Sequence, residues 1–209
     1  MELTLAVVSC GLELEVALGG NPMAGVSLVR LAGRSPRSTL LLAAADLLVE
    51  DAGTERDSIR RIAVTRGPGS FTGIRSGLAT AHGIAAALSA EILAFDSLTA
   101  QAARTDDGET VWAAQPGRRG EVYARHFSIS QGGPPQPRTA VEVLCHAEMA
   151  SRGPWMLPIG LSIRGLEAAL PRRSAAEALL VLAAQGCASE PVEPQYIEAP
   201  PIHSPDAPA

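Results

Sequence analysis

The chain has no lysine, almost no aromatic rings, and no long uninterrupted apolar run, and each absence removes a class of function. All 17 basic side chains among its 209 residues are arginine, scattered without a basic cluster, and the formal net charge is −5. An acidic chain of this kind is poorly built to grip nucleic acid alone, because phosphate neutralisation needs clustered cations. Exclusive use of arginine fits coding bias as readily as anion recognition, so no function is read from it. Without lysine, the nucleotide P-loop is also excluded. Aromatic residues make up only 3% of a chain that is 46% apolar, so the core must be built from Leu, Val, Ile and Ala. No apolar stretch reaches the roughly 18 residues a membrane helix needs. The run before Cys10 is too short, and lacks the preceding basic residue, for an export or lipoprotein signal.

Three cysteines, Cys10, Cys145 and Cys187, form no C-x-x-C pair. An odd, dispersed set fits reduced thiols in a cytoplasmic protein and neither a disulfide frame nor a zinc site. His82, His126, His146 and His203 are far apart, and none lies three or four residues from another, so no helix-borne metal pair is expected. Neither a metal nor another cofactor is expected.

Leu3 to Val8 reads as a buried strand, and Leu12 to Leu18 alternates as the second arm of a hairpin. Asn21 and Pro22 mark a turn, and Val26 to Leu31 suits a third strand. Ser38 suits the cap of a helix running through Leu41 and Leu48 to Gly53. A strand at Ile62 to Val64, a helix after Ser70, a strand at Ile92 to Phe95 and a helix capped near Ser97 complete an alternating α/β lobe over residues 1–106. A second lobe over 107–189 opens with a hairpin, Val111 to Ala114 and Val122 to Ile129. It closes with a helix announced by the Ser174–Glu177 capping box. Prolines at 191, 194, 200, 201, 205 and 208 forbid continuous regular structure, so 190–209 is expected to be an extended, mobile tail.

The segment Arg66 to Leu88, RGPGSFTGIRSGLATAHGIAAAL, is the most informative stretch. Gly67, Pro68 and Gly69 allow a tight turn after a strand, and Ser70 or Thr72 can cap the helix that follows. Free amides at that helix start, with Arg66 and Arg75 nearby, make residues Arg66, Gly67, Gly69, Ser70, Thr72 and Arg75 a candidate anion-binding turn. The glycine spacing matches neither the Rossmann fingerprint nor a nucleophile elbow, so Ser70 reads as a cap. Along the helix, Gly73, Gly77, Ala81 and Ala85 recur every four residues and form one stripe nearly bare of side chain. Each glycine inside a helix costs about 0.5–1 kcal/mol relative to alanine. The stripe therefore marks a close approach, either inside the domain or by another molecule.

This signature resembles that of the bacterial TsaB (YeaZ) family of tRNA threonylcarbamoyladenosine biosynthesis proteins. Further family-like pieces stand in order around it: Ile62-Ala63-Val64, Ser97-Leu98, Arg119-Gly120-Glu121-Val122-Tyr123 and Pro194-Gln195-Tyr196-Ile197. The resemblance implies an α/β chain with the two-lobed actin, sugar-kinase and Hsp70-like (ASKHA) fold in reduced form. It also implies a noncatalytic subunit that binds and activates the transferase TsaD. A TsaE-like ATPase is implied as a further partner and a homodimer as a further assembly, with tRNA met only through the complex. Carried onto this chain, partner docking falls on Leu41, Ala44, Ala45 and Leu48 and on the Gly73, Gly77 and Ala81 stripe.

Two departures bear on chemistry. Where many family chains read Ile-Asp-Thr-Ser, this one reads Val7-Val8-Ser9-Cys10, and Val8 cannot ligate magnesium. A second family-like acidic position is Gln115. Both favour a scaffold over the competing expectation, an autonomous actin-fold ATPase or phosphotransferase. Glu198 also departs, standing where arginine often follows the Tyr-hydrophobic pair. A peptidase built on Ser70 ranks last, having no histidine and acid placed for it.

Overall fold

The computed structural model describes residues 2–20, 25–33, 37–106, 110–130, 132–187 and 189–198. The expected turn at Asn21 and Pro22 and the tail beyond Glu198 lie outside them.

The first sheet carries the strands β1 (Leu3–Val8), β2 (Leu14–Gly19), β3 (Ser27–Leu31), β4 (Ile59–Thr65) and β5 (Glu91–Phe95), in the order β3-β2-β1-β4-β5. The hairpin arms β1 and β2 and the edge strand β3 run antiparallel, whereas β4 and β5 pair parallel to β1. Parallel pairing requires crossovers, and the helices α1 (Arg37–Asp51) and α2 (Phe71–Leu88) supply them. Alternation along β1 sorts its side chains: Leu3, Leu5 and Val7 join α1 and α2 in one core, while Ala6 and Val8 face the other side. Both faces are covered, so every residue of β1 and β2 is buried.

The opposite face packs against α3 (Ser97–Ala102) and α5 (Ala175–Ala184). Here the contact is built almost wholly from small side chains, Ala6, Ala17 and Ala63 meeting Ala175, Ala176, Ala178 and Ala183, with Leu179 and Leu182 filling between. The expected capping box is present, Ser174 Oγ accepting from Glu177 N and the Glu177 carboxylate accepting from Ser174 N. The cap of α3 is Asp96, one residue before the expected Ser97, and it accepts from the amides of Leu98 and Thr99. Helix α1 begins at Arg37, so Ser38 lies inside it and is not its cap.

The second sheet is smaller. It runs β10 (Trp155–Met156), β6 (Thr110–Pro116), β7 (Glu121–Ser128) and β8 (Gln136–Pro137), with β9 (Glu142–Cys145) also paired to β7. A short helix, α4 (His146–Met149), follows β9. Because α5 packs on the first sheet, the expected second lobe of residues 107–189 needs correction: the chain visits the second sheet and then returns. The tail needs correction too. Its residues 189–198 lie along the first lobe, with Glu190 N donating to Ala94 O and Gln195 N to Arg66 O, both at 2.8 Å.

Candidate docking face and interlobe cleft

The glycine-rich turn leaves β4 and meets the end of β1. Arg66 N donates to Phe95 O at 3.0 Å, and Ser97 N donates to Gly67 O at 2.7 Å, fixing the turn to α3. Gly67 and Gly69 have φ of 116° and 146°, a region that disfavours side chains. A Cβ on Gly67 would collide with the Gln195 carbonyl, and one on Gly69 with the Cys10 carbonyl. Ser70 caps α2 as expected, its Oγ accepting from Gly73 N at 3.2 Å, while its amide donates to Cys10 O at 2.8 Å.

These bonds bear on the expected anion-binding turn of Arg66, Gly67, Gly69, Ser70, Thr72 and Arg75. The amides of Ser70 and Gly73 are used within the fold. Arg66 is turned to the tail, its Nε donating to Glu193 O at 2.8 Å and its Nη1 lying 3.5 Å from Glu190. Arg75 lies over the Phe71 ring, 5.3 Å from its centroid. The glycines serve close packing of backbone on backbone.

The docking residues need correction. Gly73, Gly77, Ala81 and Ala85 are all buried, and the stripe rests on the fold's own strands. A Cβ on Gly73 would strike the Ser9 carbonyl and one on Gly77 the Ser9 hydroxyl. Leu41, Ala44, Ala45 and Leu48 of α1 are buried in the same core. Four-residue spacing of small residues signals close approach but not which surface approaches, and here it is β1.

The outward faces of α1 and α2 were not singled out by the sequence pattern. Leu42 and Leu47 of α1 are each 54% exposed, with Ala43 exposed between them. On α2 the exposed face carries Thr72, Arg75, Ala79, His82, Gly83 and Ala86. A Cβ on Gly83 would meet nothing within 4 Å. The two helices pack side by side, and their outward faces carry leucine, alanine and glycine with Thr72, Arg75 and His82 among them. The available signal was the pair Leu42 and Leu47, apolar residues off the inward stripe.

Between the lobes lies a cleft of about 560 Å³, where residues from the start of the chain, the signature, the β6–β7 turn and the tail converge. Its walls include Gly69 to Phe71 of the signature, Arg118 and Tyr123 around the β6–β7 turn, and Gln195 to Glu198 of the tail. The Phe71 and Tyr196 rings meet at 5.1 Å. Tyr123 Oη donates to Glu198 at 3.1 Å, and Arg118 pairs with Glu198 at 3.3 Å. Burial, and then the Glu198 carboxylate, push the Tyr123 phenol above its ordinary range.

At the floor, Cys10 Sγ donates to Thr65 Oγ1 at 3.1 Å, and burial pushes its thiol upward. Burial likewise raises the Asp96 carboxyl, opposed by the amides it caps, by Gln195 and by Arg125 at 4.0 Å. Val8 is buried among the alanines facing α5. Gln115 is fully buried, and neither atom of its amide has a partner. Among the described residues, no three His, Cys, Asp or Glu side chains gather as a metal set would.

Comparison with known proteins agrees with this architecture. Residues 31–132 match the family model described as TsaD, tRNA N6-adenosine threonylcarbamoyltransferase. The chain is 36% identical over 89 residues to the tRNA threonylcarbamoyladenosine biosynthesis protein TsaB of Escherichia coli K12, covering 41% of this chain and 38% of that protein. It is 35% identical over 81 residues to the Haemophilus influenzae TsaB, covering 37% and 34% respectively. Among solved structures, YeaZ from Pseudomonas aeruginosa superposes with a TM-score of 0.72 at 25% identity, covering 94% of this chain and all of that one. A Pseudomonas aeruginosa protein described as similar to peptidase YEAZ gives 0.74 at 25% identity, covering 95% of this chain and 100% of its own.

The chain resembles the TsaB (YeaZ) family. It has the expected two-lobed ASKHA-type α/β fold in reduced form, read from its β3-β2-β1-β4-β5 sheet and these structural neighbours. The matched part of the chain spans little more than a third of the two curated TsaB relatives, 38% and 34% of their lengths. Among the described residues, no helix is long and apolar enough to cross a membrane.

Proposed function

We propose that this chain is a noncatalytic, cytoplasmic subunit of the machinery that makes N6-threonylcarbamoyladenosine in tRNA. It binds and activates a TsaD-like transferase through the outward faces of α1 and α2. The observation that carries the reading is the surface of Leu42, Ala43, Leu47, Ala79, Gly83 and Ala86, apolar and low enough for a second pair of helices to lie close against it. Burying such a surface gains about 25 cal/mol per Å² before association costs are subtracted. The same surface serves a homodimer when the transferase is absent. A TsaE-like ATPase joins the complex, and tRNA is met through the partner.

The noncatalytic part of the reading is supported by Val8, which puts a methyl-bearing core residue where actin-fold ATPases need an acid. Gln115 likewise offers an amide in place of a carboxylate. The test is co-purification with the cognate TsaD of the wild-type chain and of Leu47→Arg, followed by tRNA modification assays with and without this chain. The reading requires that the wild type binds and stimulates modification and that Leu47→Arg, still folded, does neither. Magnesium-dependent ATP turnover by the isolated chain would instead favour the enzyme reading.

A further inference from the structure

Residues 189–198 cross the cleft mouth, and their anchorage is uneven. On the first lobe every bond of the hold uses a main-chain group: Ala94 N donates to Ser189 Oγ at 2.9 Å, and Glu190 N returns to Ala94 O at 2.8 Å. Arg66 Nε donates to Glu193 O, and Gln195 N donates to Arg66 O, both at 2.8 Å. The Tyr196 ring then lies against Phe71, the first residue of α2. Among the described residues, the connection on the second lobe is made by the Glu198 carboxylate, to Tyr123 Oη and to Arg118 in the β6–β7 turn.

We propose that residues 189–198 are a strap across the interlobe cleft, with Glu198 as its releasable catch. The two ends differ in kind. Four hydrogen bonds and a ring contact hold the first-lobe end. The Arg118 and Glu198 side chains are 59% and 27% exposed, so their attraction is screened by water and salt. The catch therefore opens without disturbing the sheet beneath it, as local openings do at the least protected part of a fold. With the catch closed, the tail forms one wall of the cleft beside Ser70 and Phe71. With it open, the β6–β7 turn is free of the first lobe at this edge, and the cleft is open to solvent and to ligands. The proposal is independent of the assignment to tRNA modification.

Hydrogen exchange on the full chain tests it, using wild type, Glu198→Gln, Arg118→Glu and the double variant Arg118→Glu/Glu198→Arg. Glu198→Gln keeps an acceptor for Tyr123 and removes only the charge. The single variants are expected to exchange several-fold faster at residues 117–123 and 195–198, with β4 and β5 unchanged. The double variant is expected to recover part of the wild-type protection, since it restores the ion pair but not the Tyr123 hydrogen bond, and high salt on the wild type to mimic Glu198→Gln. Unchanged exchange in the single variants, acceleration spread over the whole chain, or failure of the double variant to recover any protection relative to Arg118→Glu would each overturn the strap.

Discussion

Ser9 Oγ donates a 2.7 Å hydrogen bond to the Gly73 carbonyl, joining the end of β1 to the first turn of α2. Ser9 is fully buried, and its carbonyl and hydroxyl occupy the space that a side chain at Gly73 or Gly77 would need. The two glycines of the stripe are thus explained by one residue at the end of the neighbouring strand.

Two glycines of α2 should respond oppositely to the same change. Gly77→Ala forces a methyl against the Ser9 hydroxyl and is expected to destabilise by about 1–3 kcal/mol. Gly83→Ala meets open space and is expected to stabilise by about 0.5–1 kcal/mol, through helix propensity alone. Urea unfolding measures both. Equal effects would refute the inward orientation of the stripe.

Charge on the outer helix face should separate binding from folding. Gly83→Arg is expected to leave the melting temperature within a few degrees of wild type while abolishing co-purification with TsaD. Gly77→Arg is expected to unfold the chain. Circular dichroism beside the pull-down reads both outcomes, and an intact complex containing Gly83→Arg would exclude this face.

Thiol reactivity should rank the cysteines by position. Cys145 is exposed, Cys187 intermediate and Cys10 buried, so a thiol reagent on the native chain should label them in that order. Cys10 should react only on unfolding. Its raised pKa means the native state keeps a proton that the unfolded chain releases at alkaline pH, so the native state binds more protons there. Stability therefore falls as pH rises through and above the ordinary thiol range. Cys10→Ala should lessen that slope, which thermal melts across alkaline pH would show.

Arg104 should act as an interlobe tie. It is almost wholly buried, with Nη1 donating to Gln101 Oε1 and to Leu157 O at 2.8 Å, and Nε to Arg173 O at 3.2 Å. Burial lowers its pKa, partly offset by Glu15. Arg104→Ala leaves two carbonyls short of a donor and is expected to cost about 3–5 kcal/mol. Denaturant unfolding checks this, and a loss under 1 kcal/mol would contradict it.

The fold was readable where local chemistry settles local structure. Ser174 with Glu177 announced α5, and the largely apolar β1 announced a buried strand. Reading failed where the answer depends on which distant element arrives. The position of the α2 stripe was legible but its direction was not, because the partner is Ser9, 64 residues before Gly73. The prolines after Pro191 exclude regular structure, yet carbonyls between them remain free to accept from Arg66, and the tail docks. For the same reason, α5 carried a clear signal for its own existence and none for the sheet it covers.

That return of α5 has a consequence for biosynthesis. When the ribosome has made only the first 106 residues, the small-residue face of Ala6, Ala17 and Ala63 lacks the helix that later covers it. The nascent lobe must wait, half dressed, until Ala184 has emerged, and through that interval it is an open invitation to chaperones or to its own kind.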